Sequence, residues 1–453
     1  MEAEARHAME AENGSCAADS PLFLTSRWKR GACGVTDGLT AEAFAELVPL
    51  LERLAGFGAD ERGGVTRLLY TQPWLEAQTF LEGRMQDAGL QTRFDRVGNL
   101  YGRLPGSLPG APVVLTGSHI DTVRSGGRYD GAYGVAAGLL ALERLKQAFG
   151  TPLRTLEVVS LCEEEGSRFP LAYWGSGNIA GIYRREDGEA AIDADGVSLA
   201  EAMAAAGFGR PEQPDCRRSD LGACLELHIE QGIVLERSGE RIGLVDAIVG
   251  QRRYALALKG ASNHAGTTPM AMRSDALAGF AEMAAALEAK ARAAGDPLVA
   301  TVGRLEVRPN TPNVIPGEVR FTLDVRHDRG AELERFCREA LALFAAVASR
   351  RGLALEAQEW LKAEPAPMHA GLTGLAAGVC RRLGLPARRM ASGAGHDAQL
   401  FAPLCPTAML FVPSRGGVSH APEEYTAPEH LAAGAAALAA CLYELAYREE
   451  WPL

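Results

Sequence analysis

With 453 residues, 47% of them apolar and 23% charged, the chain has the composition of an ordinary globular protein. At ~100–200 residues per domain its length allows two to four domains. Its 46 Lys and Arg against 57 Asp and Glu leave a net charge of −11, which argues against nucleic-acid or anionic-membrane binding. No run approaches the ~18 uninterrupted apolar residues of a membrane span. The acidic start, MEAEARHAMEAENGSCAADS, lacks the apolar core of a secretory signal; residues 1–40 are expected to form a disordered extension. Nine single cysteines without a C-x-x-C pair argue against a disulfide framework or thiolate zinc site and suit a reducing cytoplasm.

Apolar spacing from about Thr66 to Gly89 predicts a helix, followed by two short strands in LQTRFDRVGNLYGRL. PVVLTGSH reads as a buried strand, GAYGVAAGLLALERLKQAF as a helix and TLEVVSLCEEEG as a strand ending in carboxylates. ACLELHIEQG repeats that arrangement. This is an α/β pattern with polar chemistry at strand ends. From Gly250 the order becomes β-α-β-β-α-β: RRYALALKG, a helix in AMRSDALAGFAEMAAALEAKARAAG, VATVGRLEV, EVRFTLDVRH, a helix in AELERFCREALALFAAVASRRG, and LALEAQEW. That is the ferredoxin-like arrangement, a complete small domain. RRMASGAGHDA, TAMLFVPS and an Ala-rich C-terminal helix then resume the first style. The expected architecture is a mixed-sheet α/β domain with helices on both faces, residues 41–248 and 364–453, interrupted by an inserted domain, 249–363.

The strand ends collect one kind of chemistry. GSHIDT offers His119 and Asp121, GGRYDGAYG offers Asp130, and CEEEGS offers Glu163, Glu164 and Glu165. ELHIEQG adds His228 and Glu230, and GGVSHAPEEYT adds His420. Imidazole and carboxylate together suit zinc or manganese, and a pair of ions needs one bridging carboxylate. Asp130, flanked by glycine, suits the bridge, and Asp121 could fix the His119 tautomer. Any one such histidine is more often an ordinary hydrogen-bonded residue. CEEEG, however, follows the apolar run VVSL directly, where uncompensated carboxylates are costly and a metal relieves the cost. Spacing alone does not divide roles among the three glutamates. Two other patterns carry little. GSGNIAG has its last glycine one residue late for a dinucleotide loop and more simply caps a helix. No G-x-S-x-G nucleophile elbow occurs.

GSHIDTVRSGGRYDGAYG, CEEEGSRFP, LHIEQGIVLE, SNHAGTTPM, RPNTPNVIPG and SGAGHDAQ resemble, in order, the amidase/hydantoinase/carbamoylase branch of the M20 metallopeptidase superfamily, from about residue 45 onward. The resemblance implies His119, Asp130, Glu165, His228 and His420 as ligands of two divalent ions, manganese or zinc with cobalt or nickel as options. It implies Glu164 as the general base. M20 peptidases usually have a carboxylate where this chain has His228, which favours the carbamoyl-hydrolysing branch over a dipeptidase. Implied on the substrate side are Arg326 for a carboxylate, Gln231 and Asn313 for a ureido group, His264 for the oxyanion, and Gly395 and His396. The implied substrate is a small ureido carboxylate. CEEEGSRFPLAYWGS, AIVGQRRYALALKG and SNHAGTTPM look most like the allantoate-hydrolysing members, with N-carbamoyl-L-amino acid hydrolysis or β-ureidopropionase activity the alternative. A homodimer through the inserted domain, which also serves as a lid, is a further implication.

Overall fold

The computed structural model describes residues 39–453. Of the extension expected over 1–40, only Leu39 and Thr40 fall among them, and Leu39 is fully buried in the core.

Among the described residues, thirteen strands form two sheets. They are β1 (Gln91–Phe94), β2 (Leu100–Leu104), β3 (Val113–His119), β4 (Leu156–Leu161), β5 (Leu221–Ile229), β6 (Ile242–Ile248), β7 (Gly250–Lys259), β8 (Val299–Arg308), β9 (Glu318–His327), β10 (Ala354–Ala363), β11 (Ala366–Pro367), β12 (Ala387–Ser392) and β13 (Thr407–Val412). The larger sheet runs β1-β2-β4-β3-β5-β13-β6-β11, with β12 also on β6. Its centre is parallel, since β3 pairs with β4 and β5, and β5 with β13. Those strands are continuous apolar runs because both faces are covered; every residue of β3, β4 and β13 is buried. On one face lie the helices Ala132–Phe149 and Pro428–Ala446, mostly buried. They approach so closely that a Cβ at Gly434 would lie 2.2 Å from Tyr133 Oη.

The second sheet, β10-β7-β9-β8, is wholly antiparallel. β7 and β9 alternate buried and partly exposed residues, as a sheet covered on one face must. The covering helices are Ala276–Ala294 and Gly330–Arg350, and the core between, including Leu258, Met283, Phe321 and Phe344, is separate from that of the larger sheet. The chain order β-α-β-β-α-β is the ferredoxin-like one. Among the described residues, no helix is long and apolar enough to cross a membrane.

Four local expectations need correction. The helix expected from Thr66 starts at Gln72. Arg67 is buried, its guanidinium donating to the carbonyls of Ile120, Leu54 and Phe57, and this holds residues 66–71 in an irregular path. The helix expected over Ala271–Gly295 begins at Ala276, where Asp275 caps it by accepting the Ala278 N–H. Of GSGNIAG, Gly175–Ile179 lie inside the short helix Trp174–Ile179, and Ala180 and Gly181, the latter at φ +71°, end it. The strand β6 and the helix Ala370–Arg382 were not foreseen.

Candidate metal centre

The parallel strands deliver their carboxyl ends to one place. His119 is the last residue of β3 and His228 the penultimate one of β5, and the Glu163–Glu165 run follows β4 by one residue. Asp130 arrives from the turn before the helix Ala132–Phe149, and His420 from the loop after β13. Asp130 then stands between two sets of donors. His119, Asp130 and His228 offer ligand atoms all within 4.8 Å of one another, and so do Asp130, Glu165 and His420.

The two carboxylate oxygens of Asp130 face different partners. Oδ1 lies 3.1 Å from His228 Nε2 and 3.8 Å from His119 Nε2. Oδ2 lies 3.1 Å from His420 Nε2, whose ring is also 3.4 Å from Glu165 Oε1. The buried imidazoles have their tautomers set from behind. His119 Nδ1 donates to the Asp121 carbonyl at 3.0 Å, and His228 Nδ1 to the Ile229 carbonyl at 2.9 Å. Their Nε2 lone pairs then point at the Asp130 carboxylate, acceptor against acceptor. Only a positive charge between them makes that arrangement favourable. The donor set, five imidazole or carboxylate groups with one shared carboxylate, fits a pair of divalent cations.

The electrostatics agree. Burial opposes charge on Asp130, yet hydrogen bonds to His228 and His420 and the neighbouring imidazoles hold its carboxyl well below the ordinary range. Burial likewise opposes charge on His228, but Asp130 pulls it up to about 9. Burial, then the charges of Asp130 and Asp121, push Glu165 up to about 9. Burial and the charges of Glu165, Asp397, Asp130 and Asp121 push Glu164 far up. Carboxyls whose proton affinity is raised by burial and by one another, beside a carboxylate that resists protonation, mark a cavity short of positive charge.

The three glutamates separate by geometry. Glu163, at φ +49°, turns away, and its Oε1 accepts the N–H groups of Arg168 and Phe169 at 3.1 and 3.3 Å. Glu164 Oε2 sits 3.9 Å from His119 Nε2. Glu165 faces His420. Glu230 is spent elsewhere, accepting the N–H groups of Val234 and Leu235 at the start of a short helix. The Asp121 carboxylate accepts the Glu165 N–H at 3.1 Å, and it is the Asp121 main-chain carbonyl that meets His119.

Of the substrate-side residues, Gln231 is in the centre: its Nε2 donates to Asp130 Oδ2 at 3.0 Å. His396 is buried, its ring centroid 4.6 Å from that of His228, with Nε2 3.0 Å from Ser392 Oγ. Gly395 lets Tyr173 approach; a Cβ there would lie 2.1 Å from the phenol oxygen. Arg326 reaches across from β9, donating Nη1 to the Gly393 carbonyl at 2.9 Å, while Asp324 takes Nε and Nη2 at 3.1 and 3.3 Å. His264 and Asn313 are exposed and lie side by side on paired loops, where the Ala265 N–H donates to the Asn313 carbonyl. Neither hydrogen-bonds to the cluster among the described residues. Sequence reasoning missed Glu424, buried beneath Asp130. The only signal for it was its place four residues after His420.

A family model described as Peptidase family M20/M25/M40 matches residues 115–444, and the chain belongs to that family. A protein of Escherichia coli (strain K12) named allantoate amidohydrolase is 49% identical over 408 residues, 90% of this chain and 98% of its own. The N-carbamoyl-L-amino acid amidohydrolase of Geobacillus stearothermophilus is 39% identical over 402 residues, 88% of this chain and 98% of its own. Among solved structures, an amidase of the hydantoinase/carbamoylase family from Burkholderia multivorans matches with a TM-score of 0.85 at 35% identity, covering 89% of this chain and 98% of its own.

Proposed function

We propose that the chain is a metal-dependent amidohydrolase that cleaves a ureido C–N bond of a small carboxylate-bearing substrate, allantoate first, to ureidoglycine, ammonia and carbon dioxide. The observation that carries this reading is Asp130, one carboxylate turned toward two imidazoles on one oxygen and toward His420 on the other. His119, Asp130 and His228 would hold one ion, and Asp130, Glu165 and His420 the second, manganese or zinc, with cobalt or nickel able to substitute. When bound, such ions supply Lewis-acid polarisation and an acidified water.

The chain's own residues do the rest. Glu164, whose carboxylate accepts no hydrogen bond among the described residues, takes a proton from the attacking water and returns it to the departing nitrogen. A carboxylate kept uphill by burial is a fitting base, since its affinity for a proton is already high. Arg326 offers a planar fork for the substrate carboxylate. Gln231, Gly395 and His396 line the approach, and Asn313 and His264 complete the pocket when their loops come in. Both loops belong to the inserted unit, 249–363, which would serve as lid and as the contact of a homodimer; β8 and β10 are its exposed sheet edges. Single cysteines suit a cytoplasmic setting.

N-carbamoyl-L-amino acid hydrolysis is the second reading, because it needs the same cleft plus room for a side chain and a carbamoylase relative stands at 39% identity. A substrate panel of allantoate, N-carbamoyl amino acids and a dipeptide, run with Mn, Zn, Co and Ni after chelation, decides. Allantoate is expected to turn over fastest. Faster hydrolysis of carbamoyl amino acids would shift the assignment to the second reading, and dipeptide cleavage alone would sink both.

A further inference from the structure

The segment Cys162–Glu165 carries the glutamates, and its main chain is tied on two sides. Asp121 Oδ2 accepts the Glu165 N–H. Tyr173, Trp174 and Gly175 donate their N–H groups to the carbonyls of Glu164, Glu163 and Cys162 at 3.3, 3.0 and 2.8 Å. The remaining tie is a side chain. The Cys162 N–H, the first beyond β4, donates to Asn99 Oδ1 at 3.0 Å. Immediately after it the chain leaves the strand path, with Glu163 at φ +49°.

An asparagine amide can face either way, but here its neighbour decides. Asp95 is fully buried, and an ionised carboxylate only accepts. Its Oδ1 takes the N–H groups of Val97 and Asn99 at 3.1 and 3.0 Å, and its Oδ2 takes Asn99 Nδ2 at 2.8 Å and the Tyr101 hydroxyl at 3.3 Å. The amide nitrogen of Asn99 is therefore committed to Asp95, with a longer contact at 3.4 Å to the Gly175 carbonyl, which leaves its oxygen facing Cys162. Gly175 closes the other side; a Cβ there would lie 2.2 Å from Asn99 Oδ1 and 2.6 Å from the Cys162 nitrogen. The strand β4 has little need of this clasp, being already paired with β2 and β3 along its length. What the clasp adds is register beyond the strand.

We propose that Asp95 and Asn99 act as one positioning unit for the glutamates: Asp95 dictates the orientation of the Asn99 amide, and that amide sets where Glu164 and Glu165 stand against the imidazoles. Neither residue touches a histidine of the centre. The inference rests on the amidohydrolase reading for its activity readout alone.

A swap tests it. Asp95→Asn puts an amino group against the Asn99 amino group, so Asn99 must turn over and present a donor to the Cys162 N–H. Asn99→Asp sets two acceptor-only carboxylates against each other. In Asp95→Asn/Asn99→Asp the new amide donates to the new carboxylate, which still accepts from Cys162 and gives up only the long contact to the Gly175 carbonyl. Each single variant is expected to lose roughly 10- to 100-fold in kcat, with KM little changed, and a similar factor in retention of Mn²⁺ or Zn²⁺ against a chelator. The double variant is expected to recover most of both. Singles that behave as the parent, or a double variant that recovers its melting temperature but neither kcat nor metal retention, would overturn the proposal.

Should the double variant not fold, Asn99→Ala decides by hydrogen exchange. Amides of Cys162–Glu165 are expected to exchange at least about tenfold faster while those of Leu156–Leu161 keep their protection. Equal change in both segments, or none, overturns the clasp. If the parent hydrolyses no ureido compound, the functional reading falls, while metal retention and exchange still judge Asp95 and Asn99.

Discussion

Glu424 Oε1 accepts the main-chain N–H of Asp130 at 3.1 Å. The same oxygen accepts the Tyr129 N–H at 2.9 Å, and Oε2 accepts the Ser419 hydroxyl at 2.7 Å. One buried carboxylate thus fixes the backbone of the shared ligand candidate and the residue preceding His420. Loss of such an orienting partner typically costs metal affinity about 10- to 100-fold. Glu424→Ala is expected to weaken divalent-metal retention by that order, read by chelator competition. Glu424→Gln keeps one oxygen for the two N–H groups and is expected to lose less. An alanine variant that holds metal as the parent does would show that Asp130 needs no such support.

Glu164 and Glu165 are neighbours in sequence but face different parts of the centre, and so predict different losses. Glu164→Gln removes the proton acceptor and leaves all five candidate ligands, so turnover should fall by about 10²- to 10⁴-fold while metal content stays that of the parent. Glu165→Gln should lower metal content as well. Elemental analysis of the purified variants, set beside their kcat, separates the two. Turnover that survives Glu164→Gln with metal bound would remove Glu164 from the role of base.

Metal binding should release protons. In the metal-free centre His228 and Glu165 are both held up to about 9, by Asp130 for the imidazole and by burial for the carboxyl. At pH 7 both therefore carry protons that a metal ion must displace, because ligands bind deprotonated. The released number should shrink as pH rises through 9, where the metal-free protein has already lost them. Calorimetric titration with Mn²⁺ in buffers of different ionisation enthalpy measures it. A heat independent of buffer at pH 7 contradicts the expectation.

What the sequence made legible follows from periodicity and burial. The parallel strands were readable because VVLTGSH, LEVVSL and TAMLFV are apolar on both faces, and strand ends in such a sheet collect polar chemistry. That placed His119, His228, Asp130 and His420 near one another. The three consecutive glutamates stayed unresolved, because their roles depend on a positive φ at Glu163 that turns its side chain to the Arg168 and Phe169 N–H groups. Glu424 was invisible for a related reason. Its partners are main-chain N–H groups 294 and 295 residues away, and PEEYT by itself reads as a surface turn. β6 is not legible as a strand because IGLVDAI carries a glycine and an aspartate within seven residues.

Gly131 joins backbone conformation to the centre in a way a single methyl group tests. It sits at φ +62° and ψ −49°, and its main-chain nitrogen stands 3.0 Å from His228 Nε2. A Cβ at this position would lie 2.5 Å from His119 Cε1 and Nε2. Gly131→Ala must therefore displace the His119 ring or rotate the backbone, and rotation shifts the main-chain nitrogen against His228. Either route disturbs one of the two imidazoles that face Asp130 Oδ1. Gly239 provides the control, at φ +81° and ψ 7° with nothing within 4 Å of an added methyl group. Gly239→Ala should cost about 1–2 kcal/mol of stability from the left-handed backbone and leave kcat and metal retention untouched. Gly131→Ala should lower both, beyond what its melting temperature accounts for. Equal behaviour of the two variants in kcat and metal retention would mean that Gly131 serves the turn and not the imidazoles.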